Sequence, residues 1–106
     1  MPGQWKPAVA TKQINDCAKR DDFILSLTYH AKEQMLARDL IVGDVRHVLK
    51  TGFVYEEAVA ATRQGFFKYR VEGTSPNSDG RTIRVVVIPS GGCAMKVVTV
   101  MWRDEK

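Results

Sequence analysis

The chain has 106 residues, 44% of them hydrophobic and 26% charged, and sixteen Lys and Arg against twelve Asp and Glu leave a net charge of +4. This length fits one domain with one core, and the composition is that of an ordinary globular protein. A charge of +4 is compatible with a nucleic acid or another acidic partner, but it is equally normal for a soluble small domain. Charge alone therefore does not identify a partner.

Neither cysteine has a neighbour that would indicate a site. Cys17 and Cys93 lie far apart in sequence, with no CxxC or Cys-His spacing, so we expect two reduced thiols rather than a disulfide framework or a zinc site. We expect no metal and no cofactor, because the sequence has no HEXXH spacing, Walker-type loop, GxGxxG or GxSxG motif.

The sequence predicts a cytoplasmic protein without a membrane partner. Residues 1–7 lack an apolar signal-peptide core, and no apolar run approaches the length of a membrane span.

Helical patterns occupy the first half of the chain. We expect an extended arm over residues 1–7 and an accessory helix over residues 8–20, so that residues 1–22 form an N-terminal extension and residues 23–106 a single α+β domain. A short strand over residues 23–27 leads into a helix that Thr28 caps and that runs to Arg38. A second helix ends at Lys50, with Gly52 at the C′ position and Asp44 either starting the helix or in its first turn.

The second half changes to the alternating pattern of strands. The predicted strands start at residue 53 and cover residues 66–72, 82–88 and 96–102; residues 56–62 are loop or strand, and residues 73–80 form a hairpin loop. The order of these elements predicts an α+β fold in which two or three helices pack on one face of an antiparallel sheet of about four strands. The other face of the sheet is then uncovered.

Two residues of the capped helix are candidates for chemistry. His30 is a possible acid or base near neutral pH, although a histidine at a helix start equally often has a structural role. Arg38 shares the stripe of Ala31 and Met35, so it must reach past the helix end or pair with a buried acceptor such as a carboxylate. A structural pairing and a phosphate contact are both open for Arg38.

The uncovered sheet face carries candidate RNA-binding residues. Lys68 and Arg70 share one face of their strand, and the register decides whether Arg84 joins them. Three cations on neighbouring strands repel one another unless an anion such as a polyphosphate neutralises them. The alternative is a solvated edge strand on which Glu72 compensates the charge. Thr99 is a polar residue in an otherwise apolar strand and is a weaker candidate for a site hydroxyl.

The chain resembles the small bacterial and phage proteins of domain of unknown function 4258. The likeness covers residues 27 to about 101 and rests on H-A-x-x-Q-M-x-x-R-D-L from His30, D-V-x-x-V-L-x-x-G from Asp44, and a late strand around Thr99. The family pattern is H-A-x-x-R-M-x-x-R-G-I, so Gln34 replaces an arginine and Asp39 a glycine. If that arginine is catalytic in the family, the resemblance implies a weakened or inactive member here.

The family layout is similar to that of RelE and ParE toxins and of the wider barnase, EndoU, colicin and RelE ribonuclease group. This likeness implies metal-independent cleavage of RNA, with His30 as acid or base, Arg38 as phosphate clamp and Thr99 as a hydrogen-bonding residue. Our leading hypothesis is a toxin-like ribonuclease acting on RNA or on the ribosome. The alternative is a non-enzymatic module that binds RNA or an antitoxin-like protein through the same basic face; a structural subunit is a third possibility.

Overall fold

The computed structural model describes residues 4–105, and within them it has three α-helices and six strands. The helices are α1 (Pro7–Ala18), α2 (Tyr29–Ala37) and α3 (Val42–Thr51). The strands are β1 (Ile24–Leu27), β2 (Phe53–Val54), β3 (Val59–Ala60), β4 (Phe67–Gly73), β5 (Ile83–Gly91) and β6 (Ala94–Trp102), and a 3₁₀ turn, Pro76–Ser78, lies in the β4–β5 connection. The predicted arm falls partly on residues 1–3, outside the described residues, and α1 begins at Pro7.

The sheet is mixed and larger than predicted. Its strand order is β1-β6-β5-β4-β2, and β3 pairs with the first residues of β4. β1 runs parallel to β6, whereas the other neighbours are antiparallel. The α+β class is confirmed. The strand predicted over residues 23–27 is β1, the strand start predicted at residue 53 is β2, and residues 56–62, left open between loop and strand, contain β3.

One hydrophobic core fills the space between the helices and one face of the sheet. The sheet contributes alternate residues of its three long strands, namely Tyr69, Val71, Ile83, Val85, Val87, Met95, Val97 and Val100. The helices contribute Ala10, Ile14, Ala18, Ala31, Met35, Val45, Val48 and Leu49. Helix α1 therefore shares the core of the domain that follows it.

Both ends of α2 have defined caps. The Thr28 hydroxyl accepts a hydrogen bond from the Ala31 amide at 3.1 Å, which confirms the predicted N-cap. At the other end, the Leu40 amide donates to the Met35 carbonyl at 2.9 Å, and Asp39 has a φ of 55°. This is a Schellman ending with Asp39 at the left-handed C′ position, which favours glycine.

Helix α3 is fixed at its start by a buried carboxylate. Asp44 lies in the first turn and accepts hydrogen bonds from the Ile41 amide at 2.9 Å, from Ser75 Oγ at 2.5 Å and from Asn77 Nδ2 at 3.0 Å. Burial alone would raise the pKa of Asp44, but these hydrogen bonds outweigh it and hold the pKa below its usual value. Of the two positions predicted for Asp44, the first turn is correct.

Gly52 follows α3 as predicted, but for a different reason. Its backbone is extended rather than left-handed. A Cβ at this position would lie 2.6 Å from the Val48 carbonyl oxygen and 2.7 Å from that of Glu72. Close approach of the helix end to β4 therefore requires the glycine.

The expectation of two reduced thiols is wrong. Cys17 in the last turns of α1 and Cys93 in the β5–β6 turn form a disulfide, with Cα atoms 5.1 Å apart. The two cysteines are 76 residues apart in sequence, so no spacing signal exists, and only tertiary packing brings α1 to this turn. Because disulfides persist mainly in oxidising surroundings, the pairing does not support a cytoplasmic location, which stays a prediction.

We predict that the disulfide stabilises the fold. Reducing it should lower the free energy of unfolding by about 2–4 kcal/mol, because the unfolded chain regains the freedom of a long loop. Urea unfolding of the wild type with and without a dithiol reductant measures this difference. The double variant Cys17→Ser with Cys93→Ser is the control and should not respond to reductant. Equal midpoints for the oxidised and reduced wild type would contradict the prediction.

Candidate functional site

The sheet face opposite the helices, here called the open face, carries the predicted cations. Its residues are Lys68, Arg70 and Glu72 of β4, Arg84, Val86 and Ile88 of β5, and Lys96, Val98, Thr99 and Met101 of β6. Arg84 lies directly opposite Glu72, so the register brings Arg84 onto the same face as Lys68 and Arg70.

A bulge in β6 brings Thr99 to this face. Val86 pairs with Thr99 and the next residue, Val87, pairs with Val97, which leaves Val98 as the extra residue. A strict alternation would give Thr99 the same orientation as the buried Val97. After the bulge, Thr99 instead lines a cleft with Lys68, Arg70 and Arg84, which we call the arginine cleft.

Carboxylates neutralise the arginines of this cleft. Arg84 pairs with Glu72 at 2.8 Å, and Arg70 pairs with Glu56 at 2.6 Å. Glu72 also lies 3.3 Å from Arg103. The predicted compensation by Glu72 therefore applies to Arg84 and Arg103, and Glu56 compensates Arg70. Glu57 also lines the arginine cleft, so three carboxylates stand against the four cations Lys68, Arg70, Arg84 and Arg103 at this end of the open face.

The other end of the open face has cations without carboxylates. A second cleft is lined by Ser26, Ala61, Thr62, Arg63, Phe66, Lys68, Ile88, Ser90, Lys96 and Val98. None of these residues is acidic. Within residues 4–105, Arg63, Lys68 and Lys96 form no ion pair with a carboxylate, and Arg63 lies 4.7 Å above the Phe66 ring. We call this region the lysine cleft.

The aromatic side chains divide between the core and the surface. Tyr69 is buried in the core, and Trp102 is covered by Arg81 at 4.4 Å. Phe53 and Tyr55, by contrast, are 55% and 67% exposed, with ring centroids 6.1 Å apart. Phe53 pairs with Glu72, so this aromatic pair lies at the β2 edge of the open face.

Arg38 pairs with a carboxylate, one of the two roles that the sequence left open. Its guanidinium binds Glu105 through two hydrogen bonds, one of them from Nε to Oε1 at 2.8 Å, and donates to the Gln34 carbonyl at 3.1 Å. Glu105 also accepts from the Trp102 amide at 2.7 Å. The Arg38 hydrogen bonds lower the pKa of Glu105 to about 2. Arg38 therefore ties the end of α2 to the end of β6.

Gln34 occupies the position of the family arginine and bonds to the sheet edge. Its Oε1 accepts a hydrogen bond from the Val100 amide at 2.9 Å. An arginine has no acceptor atom and could not form this bond. Gln34 therefore has a role in the fold of this chain, whereas the sequence indicated only that the family arginine is missing.

His30 is exposed and lines neither of the two clefts. It lies one turn before Gln34, on the same flank of α2. Since Gln34 reaches the backbone of β6 beside Thr99, His30 lies on the side of the helix nearest this sheet edge. The structure thus brings together Lys68, Arg70, Arg84 and Thr99, whereas Arg38 and His30 lie at the β6 edge.

Sequence reasoning missed Arg63 and Lys96 as cleft residues and Phe53 as an exposed aromatic. The strand alternation around Val97 could have identified Lys96 as outward-facing. Arg63 lies in a segment without periodicity, so the sequence carries no signal for it.

Within residues 4–105, no group of three or more His, Cys, Asp or Glu side chains could hold a metal ion. No helix in this range has the length and apolar character to cross a bilayer.

The Arg38–Glu105 pair predicts an acid-sensitive contact. Because the folded pKa of Glu105 lies below its unfolded value, the pair stabilises the fold above about pH 4.5 and loses this contribution as the pH falls towards 2. In Arg38→Ala the pKa of Glu105 should rise towards its ordinary value, as followed by NMR titration of the side-chain carboxyl. Arg20→Ala, which removes a remote exposed ion pair, is the control and should leave Glu105 unchanged. An unaltered pKa in Arg38→Ala would contradict the assignment.

The comparison with protein families gives a match over most of the chain. A family model described as domain of unknown function (DUF4258) matches residues 27–102, from the end of β1 to the end of β6. Neither the curated proteins nor the solved structures give a match. The fold-level likeness to RelE and ParE toxins therefore stays a prediction, and α1 lies outside the matched region. The chain belongs to the DUF4258 family.

Proposed function

We propose that the open face binds single-stranded RNA through its phosphate backbone. The observation that carries this proposal is the lysine cleft, in which three cations lie together with no acidic residue in the lining. Elsewhere on the same face each arginine named above has a glutamate partner. An external anion would therefore meet unpaired cations at the lysine cleft, whereas the arginines of the arginine cleft already have carboxylate partners.

The spacing of the two lysines supports a bound phosphate. Ile88 pairs with Lys96, and Lys68 precedes Tyr69, which pairs with Val87. Continuing this register by one residue places Lys68 across from Ile88, so the Lys68 and Lys96 Cα atoms are about 10 Å apart. Two flexible ammonium groups at this separation can reach one anion placed between them. Ser26, which pairs with Lys96, also lines the cleft; its hydroxyl donates a long hydrogen bond of 3.4 Å to the Met95 carbonyl, which a bound phosphate oxygen could replace.

The exposed aromatic rings support single-stranded rather than double-stranded RNA. Phe53 and Tyr55 lie at the far edge of the open face from the lysine cleft. Unpaired bases stack on such rings, whereas bases within a duplex are not accessible to them. A strand crossing the face would place its phosphates at the lysines and could stack a base on this pair.

We predict that the two lysines determine affinity for RNA. In Lys68→Ala with Lys96→Ala, the logarithm of the association constant for a short oligouridine should fall, and its slope against the logarithm of salt should decrease by about 1.4, or 0.7 for each lost phosphate contact. Fluorescence anisotropy over a salt series measures both. The control, Lys12→Ala with Lys50→Ala, removes the same charge from exposed positions on α1 and α3. Equal losses in the two variants would show non-specific attraction and contradict the proposal.

Cleavage of the bound RNA is a second candidate function, and the position of His30 favours it. His30 lies one helical turn before Gln34, whose side chain bonds to the Val100 amide next to Thr99. There it would take the proton of a ribose 2′-OH, the 2′ oxygen would attack phosphorus, and the 5′ oxygen would leave and be protonated. The Thr99 hydroxyl would donate to the phosphate. Binding has the stronger support, because Arg38 and Arg84 are paired with Glu105 and Glu72 and are not free to stabilise the phosphorane.

The test of cleavage is incubation of labelled single-stranded RNA with the protein in EDTA. If the chain is a ribonuclease, His30→Ala should lose cleavage while RNA binding persists. His47→Ala is the matched histidine control and should retain the wild-type rate. Binding of RNA by the wild type without cleavage would favour the RNA-binding module over the ribonuclease. Cleavage that persists unchanged in His30→Ala would overturn the role of His30.

A further inference from the structure

A cavity of about 370 Å³ lies on the helix side of the sheet, where α1 meets the β5–β6 turn. Its walls include Trp5, Phe67, Tyr69, Met95 and the disulfide between Cys17 and Cys93. The lining is mainly apolar, and the volume is in the range of sites that hold small molecules. The cavity lies on the opposite side of the sheet from the lysine cleft, so an occupant would be independent of RNA.

One polar group in this wall has an unused hydrogen-bond donor. The Tyr69 side chain is only 3% exposed, and its hydroxyl accepts a hydrogen bond from the Trp5 amide at 2.8 Å. A phenol can also donate, yet within residues 4–105 its hydrogen has no acceptor. Trp5 and Tyr69, the two residues that this hydrogen bond joins, both line the cavity. Burial raises the pKa of Tyr69, so the hydroxyl keeps its proton at neutral pH.

We propose that the cavity binds a compact, uncharged, mainly apolar molecule whose carbonyl oxygen accepts a hydrogen bond from Tyr69. The apolar walls favour a hydrocarbon or aromatic body, and the unused donor calls for one acceptor atom. No cationic side chain lines the cavity, and a carboxylate placed there would lose its hydration without gaining a counter-charge. The chemistry of the site therefore selects a ketone, ester or amide over an acid.

Two probes of similar size test the proposal on the full chain. Acetophenone has an aromatic ring and a carbonyl oxygen, and ethylbenzene has the ring without the acceptor. Both should shift the methyl NMR signals of Met95 and Ala94, which line the cavity. Tyr69→Phe should weaken acetophenone binding by about fivefold, the value of one hydrogen bond, and leave ethylbenzene binding unchanged. Tyr55→Phe, at an exposed ring, is the control and should alter neither affinity.

A second variant covers the case in which Tyr69→Phe fails to fold. Ala94→Leu adds volume to the wall without removing the Tyr69 hydroxyl, and it should abolish the binding of both probes. The proposal is overturned if neither probe shifts the methyl signals of Met95 and Ala94. It is also overturned if Tyr69→Phe binds acetophenone as tightly as the wild type does, or if both probes still bind at the same methyl groups in Ala94→Leu.

Discussion

The structure depends on side chains that accept hydrogen bonds from the backbone amides at the outer edge of β6. β1 pairs with only the first half of this strand, and an unpaired buried amide beyond that point would cost free energy. Gln34 Oε1 accepts from the Val100 amide, and Glu105 Oε1 accepts from the Trp102 amide. Arg38 holds Glu105 in place through two hydrogen bonds. Gln34 and Glu105 thus accept hydrogen bonds from β6 amides beyond the part of the strand that pairs with β1. These bonds fix α2 against the sheet.

The same edge gives structural reasons for both departures from the family pattern. Gln34 replaces an arginine, and the amide supplies the acceptor that the Val100 N–H requires. Asp39 replaces a glycine at a left-handed C′ position, where glycine has no steric cost and aspartate is tolerated. Neither change by itself removes a group from the open face. The replaced arginine is therefore weaker evidence for a lost activity than the sequence alone suggested.

Local signals in the sequence predicted the α+β class, the Thr28 cap, the two helices that follow it and the long strands. These features depend on residues close together in the chain, so propensity and periodicity suffice for them. The parallel pairing of β1 and the Cys17–Cys93 disulfide join distant segments and leave no local pattern. The bulge at Val98 reverses the alternation, and so the placement of Thr99 on the open face required the structure. The sequence offered Glu72 as a compensating charge, but only the register shows that it pairs with Arg84, and the Glu56 partner of Arg70 lies in the loop after β2 without a sequence signal.

The open face is divided by charge, and the proposed RNA binding depends on this division. The arginines of the arginine cleft pair with Glu56 and Glu72, whereas the lysine cleft holds Lys68 and Lys96 without a carboxylate. The most direct test is an amide NMR titration with a short oligouridine, which maps contact residue by residue. We expect shifts concentrated on the lysine cleft and its flanking strands, with the exposed surfaces of α1 and α3 unchanged. Shifts confined to the helix side of the sheet, or none at low salt, would contradict it.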